Sequence, residues 1–294
     1  MRWLNRNVLG IGLADLAADA NYEMVFAVLP LFITAGLGAP AFAVGLIEGV
    51  GDGSSAVVKL WSGWYSDRIS WRRRLAAGGY GTTVIGLGLL VAITSWPQVI
   101  VARALAWMGR GLRQPIRSAM LAGSVEKKDL GKAFGFHEAL DTAGALIGPA
   151  VALLLLSTGH GFRTIFWAAL APGVICVILF ALITRDPRRG RPEPVPLHVP
   201  MPPGFWRLMA LLVGAQNPVV SAVEGSLVSS LVDVRRLGTA FGFLNGINGV
   251  ADLGSSVVAG ALWTVVSPEA SLGLGSVLCA VAALILWVRQ PKPV

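Results

Sequence analysis

The chain has 294 residues, of which 54% are hydrophobic and only 14% are charged, and its mean hydropathy is +0.67. Soluble domains carry about 25% charged residues, so the composition excludes an ordinary soluble domain and indicates several membrane-spanning segments. The net charge of +8 does not indicate nucleic-acid binding, because the basic residues form short clusters between apolar runs, as cytoplasmic loops do. The two cysteines lie within apolar runs, so no disulfide framework is expected.

Six long apolar runs fill residues 1–185. A helix needs about 20 mostly apolar residues to cross the hydrocarbon core of a membrane. The runs therefore predict spanning helices over residues 8–34, 42–65, 75–95, 98–121, 131–157 and 162–184. Alternate loops are basic, at residues 71–74, 126–128 and 185–189. By the positive-inside rule we expect a multi-pass protein of the cell inner membrane whose N-terminus is cytoplasmic.

The remainder of the chain is organised differently. Prolines crowd residues 186–203, which therefore predict a cytoplasmic linker and not a membrane helix. Residues 204–294 predict a shortened second bundle with confident spans at 238–262 and 270–288. Residues 205–234 fit either a hairpin within the membrane or a single crossing, and we favour the hairpin because basic residues flank both ends. The predicted fold is an all-α transmembrane bundle of about eight or nine spans, six of them before the linker.

An internal repeat links the two parts of the chain. Residues 130–136 read LGKAFGF and residues 237–243 read LGTAFGF. Repeats related by an axis along the membrane normal are one way in which secondary transporters are built, with the substrate site between the halves. If the copies are equivalent, the second half lacks about three helices relative to the first. A homodimer is one arrangement that would then close the cavity between them.

A motif at the end of the second predicted span carries a family resemblance. Its residues are Gly63, Asp67, Arg68, Arg72 and Arg73. It resembles the Gly-x-x-x-Asp-Arg-x-Gly-Arg-Arg signature of the major facilitator superfamily, with Ser70 in place of the second glycine and Trp71 inserted before the basic run. The resemblance implies a loop that switches between conformations, in which Asp67 pairs with positive groups or a helix N-terminus in one state only. The simpler alternative is a solvated basic loop.

Two further motifs resemble the same superfamily. Arg103 begins a pattern similar to Arg-x-x-x-Gly-x-Gly, with Trp107 at the position of the first glycine. Gly144, Gly148 and Pro149 are similar to the Gly-x-x-x-Gly-Pro motif of the superfamily's exporters. The resemblance implies alternating-access transport and favours export. The residues themselves predict close helix packing at the two glycines and a bend at the proline.

Ionisable residues within the predicted spans are the main candidates for binding and coupling. They are Asp15, Asp19, Glu23, Glu48, Asp52, Arg103, Arg110, Glu138 and Asp141. A charge at the centre of a membrane helix costs about 2.5–3.5 kcal/mol on insertion scales, so such residues face the bundle interior. Counting along the helices places Asp19, Asp52, Arg110 and Asp141 near the same depth.

These charges admit two interpretations. Arg103 and Arg110 could neutralise the acids for structural reasons alone. Alternatively, since acids outnumber bases in the spans and desolvation raises the pKa of a carboxylic acid, some of the acids could bind coupled protons. We expect proton-coupled transport with Asp19 and Asp52 as the leading coupling residues, and a small cationic or amphipathic solute. His137 fits a hydrogen-bonded packing residue better than a proton relay.

No cluster with metal-ligand spacing, activated nucleophile or nucleotide-binding loop stands in the sequence, so we expect neither an enzyme nor a metal or other cofactor. The expected partners are a small-molecule substrate, protons and the lipid bilayer, without nucleic acid. The rival hypothesis is a membrane-embedded binding or regulatory protein that derives from a transporter and no longer transports. The superfamily fold serves sugars, drugs, peptides and ions, so the sequence does not identify the solute.

Overall fold

The computed structural model describes residues 3–186 and, further along the chain, residues 232, 236, 239–241 and 243. The linker after residue 186 and the two expectations for residues 205–234 lie outside the described residues, as do the last predicted span and most of the span at 238–262. Residues 239–241 and 243 are helical, in agreement with the start of that span. The part of the chain described is helical throughout and contains no strand.

Six long helices form the described bundle, and each coincides with a predicted span to within a few residues. They are α1 (Arg6–Phe26), α2 (Ala41–Ser66), α3 (Arg72–Leu89), α4 (Trp96–Ala122), α5 (Leu130–Ser157) and α6 (Phe162–Ile183). Short turns extend three of them: Leu29–Leu31 and the π-helical Phe32–Gly36 after α1, the 3-10 turn Leu90–Ala92 after α3, and the 3-10 turn Lys127–Asp129 before α5.

Local chemistry explains where several helices begin. Asn5 caps α1, because its side chain accepts hydrogen bonds from the backbone N–H groups of Asn7 and Val8. Ser95 and Gln98 form a capping box at the start of α4. Proline interrupts α1 after Phe26, since Pro30 has no backbone N–H to donate to the preceding turn.

Glycines allow two pairs of helices to approach closely. A Cβ atom on Gly144 of α5 would lie 2.3 Å from the carbonyl oxygen of Leu16 in α1, and one on Gly148 would lie 2.7 Å from the backbone nitrogen of Met24. Gly86 of α3 meets the backbone of α4 in the same way, with Ala106 N 2.5 Å from the position of a Cβ. Backbone contact of this kind stabilises helix pairs in lipid, where apolar burial alone does not drive association. Pro149 lies within α5, which continues to Ser157.

The N-terminus and alternate loops lie together at one end of the bundle, which we call the basic end. The Asn5 side chain donates to the carbonyl of Ser124, and the Asn7 side chain accepts from the backbone N–H of Arg185. The backbone N–H of Arg73 donates to Asp186. These contacts join the start of α1, the α2–α3 and α4–α5 loops and the end of α6.

The outer surface of the bundle is apolar. The most exposed large apolar side chains are spread over α2 to α6: Val57, Ile85, Val101, Leu146, Leu153, Trp167 and Leu182. Among the residues that the structure describes, four helical segments are long and apolar enough to cross a membrane: Arg6–Gly36, Arg72–Ala92, Lys127–Ser157 and Phe162–Ile183. α2 and α4 are comparably long, at 26 and 27 residues, but they carry several of the charged candidates. The exterior therefore matches lipid and the charges are collected between helices.

Candidate functional site

Ionisable side chains of α1, α2, α4 and α5 face one another inside the bundle. On α1, Asp15 and Asp19 are one turn apart, which places both carboxylates on one face of the helix. On α4, Arg103, Arg110, Arg113 and Arg117 follow at spacings of seven, three and four residues, which also keeps them on one face. The acids and arginines form two groups, the Asp15 cluster and the Trp107 cluster.

The Asp15 cluster is centred on a carboxylate with no solvent exposure. Its Oδ1 accepts from the Tyr80 hydroxyl at 2.5 Å, from Arg117 Nη1 at 2.8 Å and from Arg113 Nη1 at 3.2 Å. Its Oδ2 is 2.8 Å from His137 Nε2. One carboxylate thus joins α1 to α3, α4 and α5, and it pairs with two guanidinium groups, those of the buried Arg113 and of Arg117, whose side chain is 11% exposed.

One turn further along α1, Asp19 is in direct contact with another acid. Its carboxyl lies within hydrogen-bonding reach of the Asp141 carboxyl on α5, and the charges of Arg110 and Arg113 act on it. Arg117 Nη1 is 4.0 Å from Asp141 Oδ1, more distant than from Asp15. Asp19 is 6% exposed and the Asp141 side chain 24% exposed. The pair is therefore more accessible than Asp15.

Two more acids continue this arrangement along α1 and α5. Glu23 on α1 and Glu138 on α5 are both half-buried, and the charge of Asp141 acts on each of them. We call Asp19, Glu23, Glu138 and Asp141 the acid stripe. It contains four carboxyl groups on two adjacent helices, with Arg110 and Arg117 at its edge.

The Trp107 cluster joins α2 to α4. Arg103 forms an ion pair with Glu48, and its guanidinium lies over the Trp107 ring, 3.2 Å from the ring centroid. Trp107 Nε1 donates to Asp52 Oδ1 at 2.9 Å. Tyr22 of α1 packs edge-on against Trp107, with 5.1 Å between ring centroids. The cluster combines a neutralised acid, a second acid bound by an indole, and aromatic faces beside cations.

The two clusters meet at Arg110. Its guanidinium lies 4.5 Å from the centroid of the Tyr22 ring and 5.6 Å from that of Trp107, and its charge acts on Asp19 and Asp141. The structure therefore brings together Asp19, Arg110 and Asp141 among the sequence candidates. It places Asp52 instead with Glu48 and Arg103, on the other side of the Tyr22–Trp107 pair.

The sequence reasoning missed several members of the site. Tyr80 had no recognisable signal, since a tyrosine in an apolar helix is usually a packing residue. Arg113 and Arg117 did have one, because they extend the face that Arg103 and Arg110 define on α4. His137 is hydrogen-bonded and 5% exposed, as a packing residue would be.

The switch-loop motif lies at the basic end and reaches the second sequence repeat. Arg72 Nη2 donates to Asp67 Oδ1 at 2.6 Å. The other oxygen, Oδ2, accepts from both the backbone N–H and the hydroxyl of Thr239, at 2.6 and 2.7 Å. Asp67 and Thr239 are 5% and 4% exposed. The remaining motif residues make contacts within the first bundle: Arg68 stacks on Trp64, Arg73 donates to the carbonyl groups of Ala181 and Thr184, and the Gly63 carbonyl accepts from Ser66.

Asp15, His137 and Asp141 are also close enough to be tested as metal ligands, since their ligand atoms lie within 4.8 Å of one another. The charges do not fit a metal ion, however. Asp15 already forms ion pairs with Arg113 and Arg117. A metal ion placed beside these two guanidinium groups would be repelled by their charge. We interpret the group as an ion-pair network.

Apolar helices with inward-facing charges, joined to a second sequence repeat at one end, are an arrangement found in membrane transporters. Residues 11–215 match the sequence model of the Major Facilitator Superfamily, and the chain belongs to this superfamily. The family and the fold are those of membrane transporters and not of enzymes, as the sequence predicted.

Known proteins support the same assignment. The fold is similar to the crystal structure of the human organic anion transporter MFSD10 (TM-score 0.69, 13% identity, 96% of this chain and 99% of that chain). An uncharacterised MFS-type transporter of Methanocaldococcus jannaschii is 31% identical over 187 residues, 63% of this chain and 46% of the relative. An uncharacterised protein of Mycobacterium tuberculosis is 34% identical over 214 residues, 70% and 51% of the two chains. The chain thus spans about half the length of these two relatives. The multidrug resistance protein MdtG of Enterobacter lignolyticus is 23% identical over 298 residues, 96% of this chain and 68% of MdtG.

Proposed function

We propose that the chain acts in secondary active transport, exporting a small cationic or amphipathic solute by alternating access in exchange for protons. The observation that carries this proposal is the grouping of Asp19 and Asp141 inside the bundle beside Arg117, whose Nη1 is 4.0 Å from Asp141 Oδ1. Family membership supports transport as the general activity. Proton coupling and solute class rest on the site, and export rests on the resemblance of Gly144, Gly148 and Pro149 to the exporters' motif.

The carboxyl pair supports proton coupling through electrostatics. Two ionised carboxylates in contact repel each other, and in the membrane interior no bulk water screens them. The repulsion is relieved when the two groups share one proton. When that proton leaves, Arg110 and Arg117 are the cations near enough to move toward the newly charged group. Asp52, which Trp107 holds in place, is the second candidate for a coupled proton.

The acid stripe also supports a cationic solute. A cation that binds to Glu23, Glu138 or Asp141 compensates the charge that the departing proton leaves, so solute and proton compete for the same carboxylates. Tyr22 and Trp107 pack together beside Arg110, and their rings offer apolar surface to an amphipathic solute. The four carboxyl groups of the acid stripe outnumber the two guanidinium groups at its edge, which favours a positive charge on the solute. The relative MdtG is named a multidrug resistance protein, and a drug-like amphipathic cation would suit such a site.

The contact at Asp67 supports alternating access. A buried carboxylate bonded to Arg72 and to Thr239 stabilises a conformation in which the two repeats meet at the basic end. Opening at that end must break the bonds to Thr239, whereas the bond to Arg72 within the first bundle can persist. In this proposal residues 1–185 and 204–294 are the two moving bundles, with residues 186–203 as a cytoplasmic linker and the basic end facing the cytoplasm.

Reconstitution into proteoliposomes tests the proposal. The dye ethidium is a suitable probe because it is cationic and amphipathic. A pH gradient is imposed across the vesicles and ethidium flux is recorded for the parent, Asp19→Asn, Asp141→Asn and the control Asp129→Asn. Asp129 is an acid of the basic end that pairs with Lys132 at the surface.

We expect both Asp19→Asn and Asp141→Asn to abolish gradient-driven flux, and the control to retain it. If Asp19→Asn and Asp141→Asn transport at the parent rate, the pair does not couple protons. Ethidium binding without flux in the parent would favour the binding-protein hypothesis.

A further inference from the structure

The two copies of the sequence repeat touch through equivalent residues. Phe134 and Phe241 occupy the same position in LGKAFGF and LGTAFGF. Their rings pack at 5.8 Å between centroids with 34° between the ring planes. Both are buried, at 5% and 2% exposed, and the equivalent Ala133 and Ala240 beside them are fully buried.

We take the two repeats to be related by a two-fold axis along the membrane normal, which is one way in which transporters are built. When two units are related by a two-fold axis, the midpoint between equivalent atoms lies on that axis. Each phenylalanine ring is therefore no further from the axis than half of the 5.8 Å separation. In transporters built from such repeats, the solute passes along the interface between the halves, where the axis runs.

The two packed rings lie between the basic end and the acid stripe. Phe134 is in the second turn of α5, and Thr239, which bonds Asp67 at the basic end, is two residues before Phe241. Asp141 is seven residues further along α5 than Phe134, which is about 10 Å at the helical rise. The rings thus separate the acids from the basic end.

We propose that Phe134 and Phe241 form an aromatic gate on the repeat axis, which closes the solute path at the basic end and parts when that end opens. This inference rests on the proposed transport function and adds two positioning residues to it. In the closed state the two rings fill the path, so that neither water nor solute passes between them. The bonds of Asp67 to Thr239 hold the second repeat in register with the gate.

Cysteine crosslinking tests the gate. In a background with Cys176→Ser and Cys279→Ser, Phe134→Cys and Phe241→Cys are combined and treated with a short bis-methanethiosulfonate reagent, which a reductant removes. The matched control combines Phe136→Cys with Phe241→Cys. Phe136 lies two residues further along α5, on the opposite face, and packs against Trp3 with 6.0 Å between ring centroids. We expect crosslinking in the 134/241 pair and not in the 136/241 pair, loss of at least nine-tenths of ethidium flux on crosslinking, and recovery on reduction.

A second measurement does not depend on flux. A cysteine at position 141 is labelled in sealed vesicles by a membrane-impermeant thiol reagent added at the basic end. Phe134→Ala should raise the labelling rate about two- to tenfold, the factor that corresponds to loss of an aromatic pair, and Phe136→Ala should leave it unchanged. Phe134→Leu keeps the site filled and should have an intermediate effect, which separates opening of the gate from unfolding.

The outcomes distinguish the gate from transport itself. If crosslinked vesicles keep parental ethidium flux, or Phe134→Ala leaves labelling unchanged, the gate is wrong while the transport proposal stands. If the parent shows no flux but Phe134→Ala raises labelling as expected, the transport proposal fails and the gate is supported. Absence of a 134/241 crosslink would show that the repeats do not meet at these residues.

Discussion

Replacing Asp15 with asparagine would test whether its cluster holds the first bundle together. The substitution keeps the shape of the side chain but leaves Arg113 and Arg117 buried without their shared counter-ion. Removing one partner of a buried ion pair costs about 3–5 kcal/mol, because the remaining charge has lost both water and its partner. We therefore expect Asp15→Asn to lower the free energy of unfolding by about that amount and the midpoint of thermal unfolding by on the order of 10 °C.

The assay is thermal unfolding of the purified protein in detergent, with Asp129→Asn as the control. Asp129 forms a surface ion pair with Lys132, and exposed pairs contribute about 0–1 kcal/mol, so the control should unfold close to the parent. The double variant Asp15→Asn/Arg117→Gln should recover part of the loss, since it removes one of the uncompensated charges. If Asp15→Asn is as stable as the parent, or the double variant is simply the sum of its parts, the cluster does not stabilise the bundle as reasoned above.

Two further predictions concern helix packing and the switch loop. Gly144→Ala should destabilise the protein by about 1–3 kcal/mol, because the new Cβ would lie 2.3 Å from a backbone oxygen of α1. Gly135→Ala in the same helix meets nothing within 4 Å and should unfold with the parent; equal stability of the two variants would contradict the packing. Asp67→Asn weakens charge-assisted bonds to Thr239 that are worth about 1.5–3 kcal/mol, so a cysteine in the acid stripe should become more reactive from the basic end. Asp186→Asn at the same end is the control, and equal reactivity in both variants would refute a closing role for Asp67.

Much of the fold could be predicted from the sequence because its elements are local. Each membrane helix of residues 3–186 is a continuous apolar run between polar or proline-containing breaks, so length and hydropathy place it to within a few residues. The π-helical turn Phe32–Gly36 had no comparable signal. The sequence repeat was also visible, but not that Phe134 and Phe241 touch, since a repeat indicates equivalence and not proximity.

The candidate site was predictable in its composition and less so in its pairing. Inward-facing charges follow from the cost of exposing them to lipid, and this reasoning found Asp19 and Asp141. Which acid meets which base depends on the rotation of each helix about its own axis, and hydropathy does not determine that rotation. The sequence placed Asp52 only at the same depth as Asp19, and it did not indicate that Asp52 bonds to Trp107.

The Asp15 carboxylate has a mechanical consequence. Asp15 of α1 forms ion pairs with α4 and hydrogen bonds with α3 and α5. If one of these helices slid past the others, a charged or polar group would lose its partner inside the bundle, away from water. We therefore expect α1, α3, α4 and α5 to move as one rigid body. Movements that begin in the acid stripe would then be accommodated where this bundle contacts the second repeat. Those contacts are the bonds of Asp67 to Thr239 and the packing of Phe134 on Phe241.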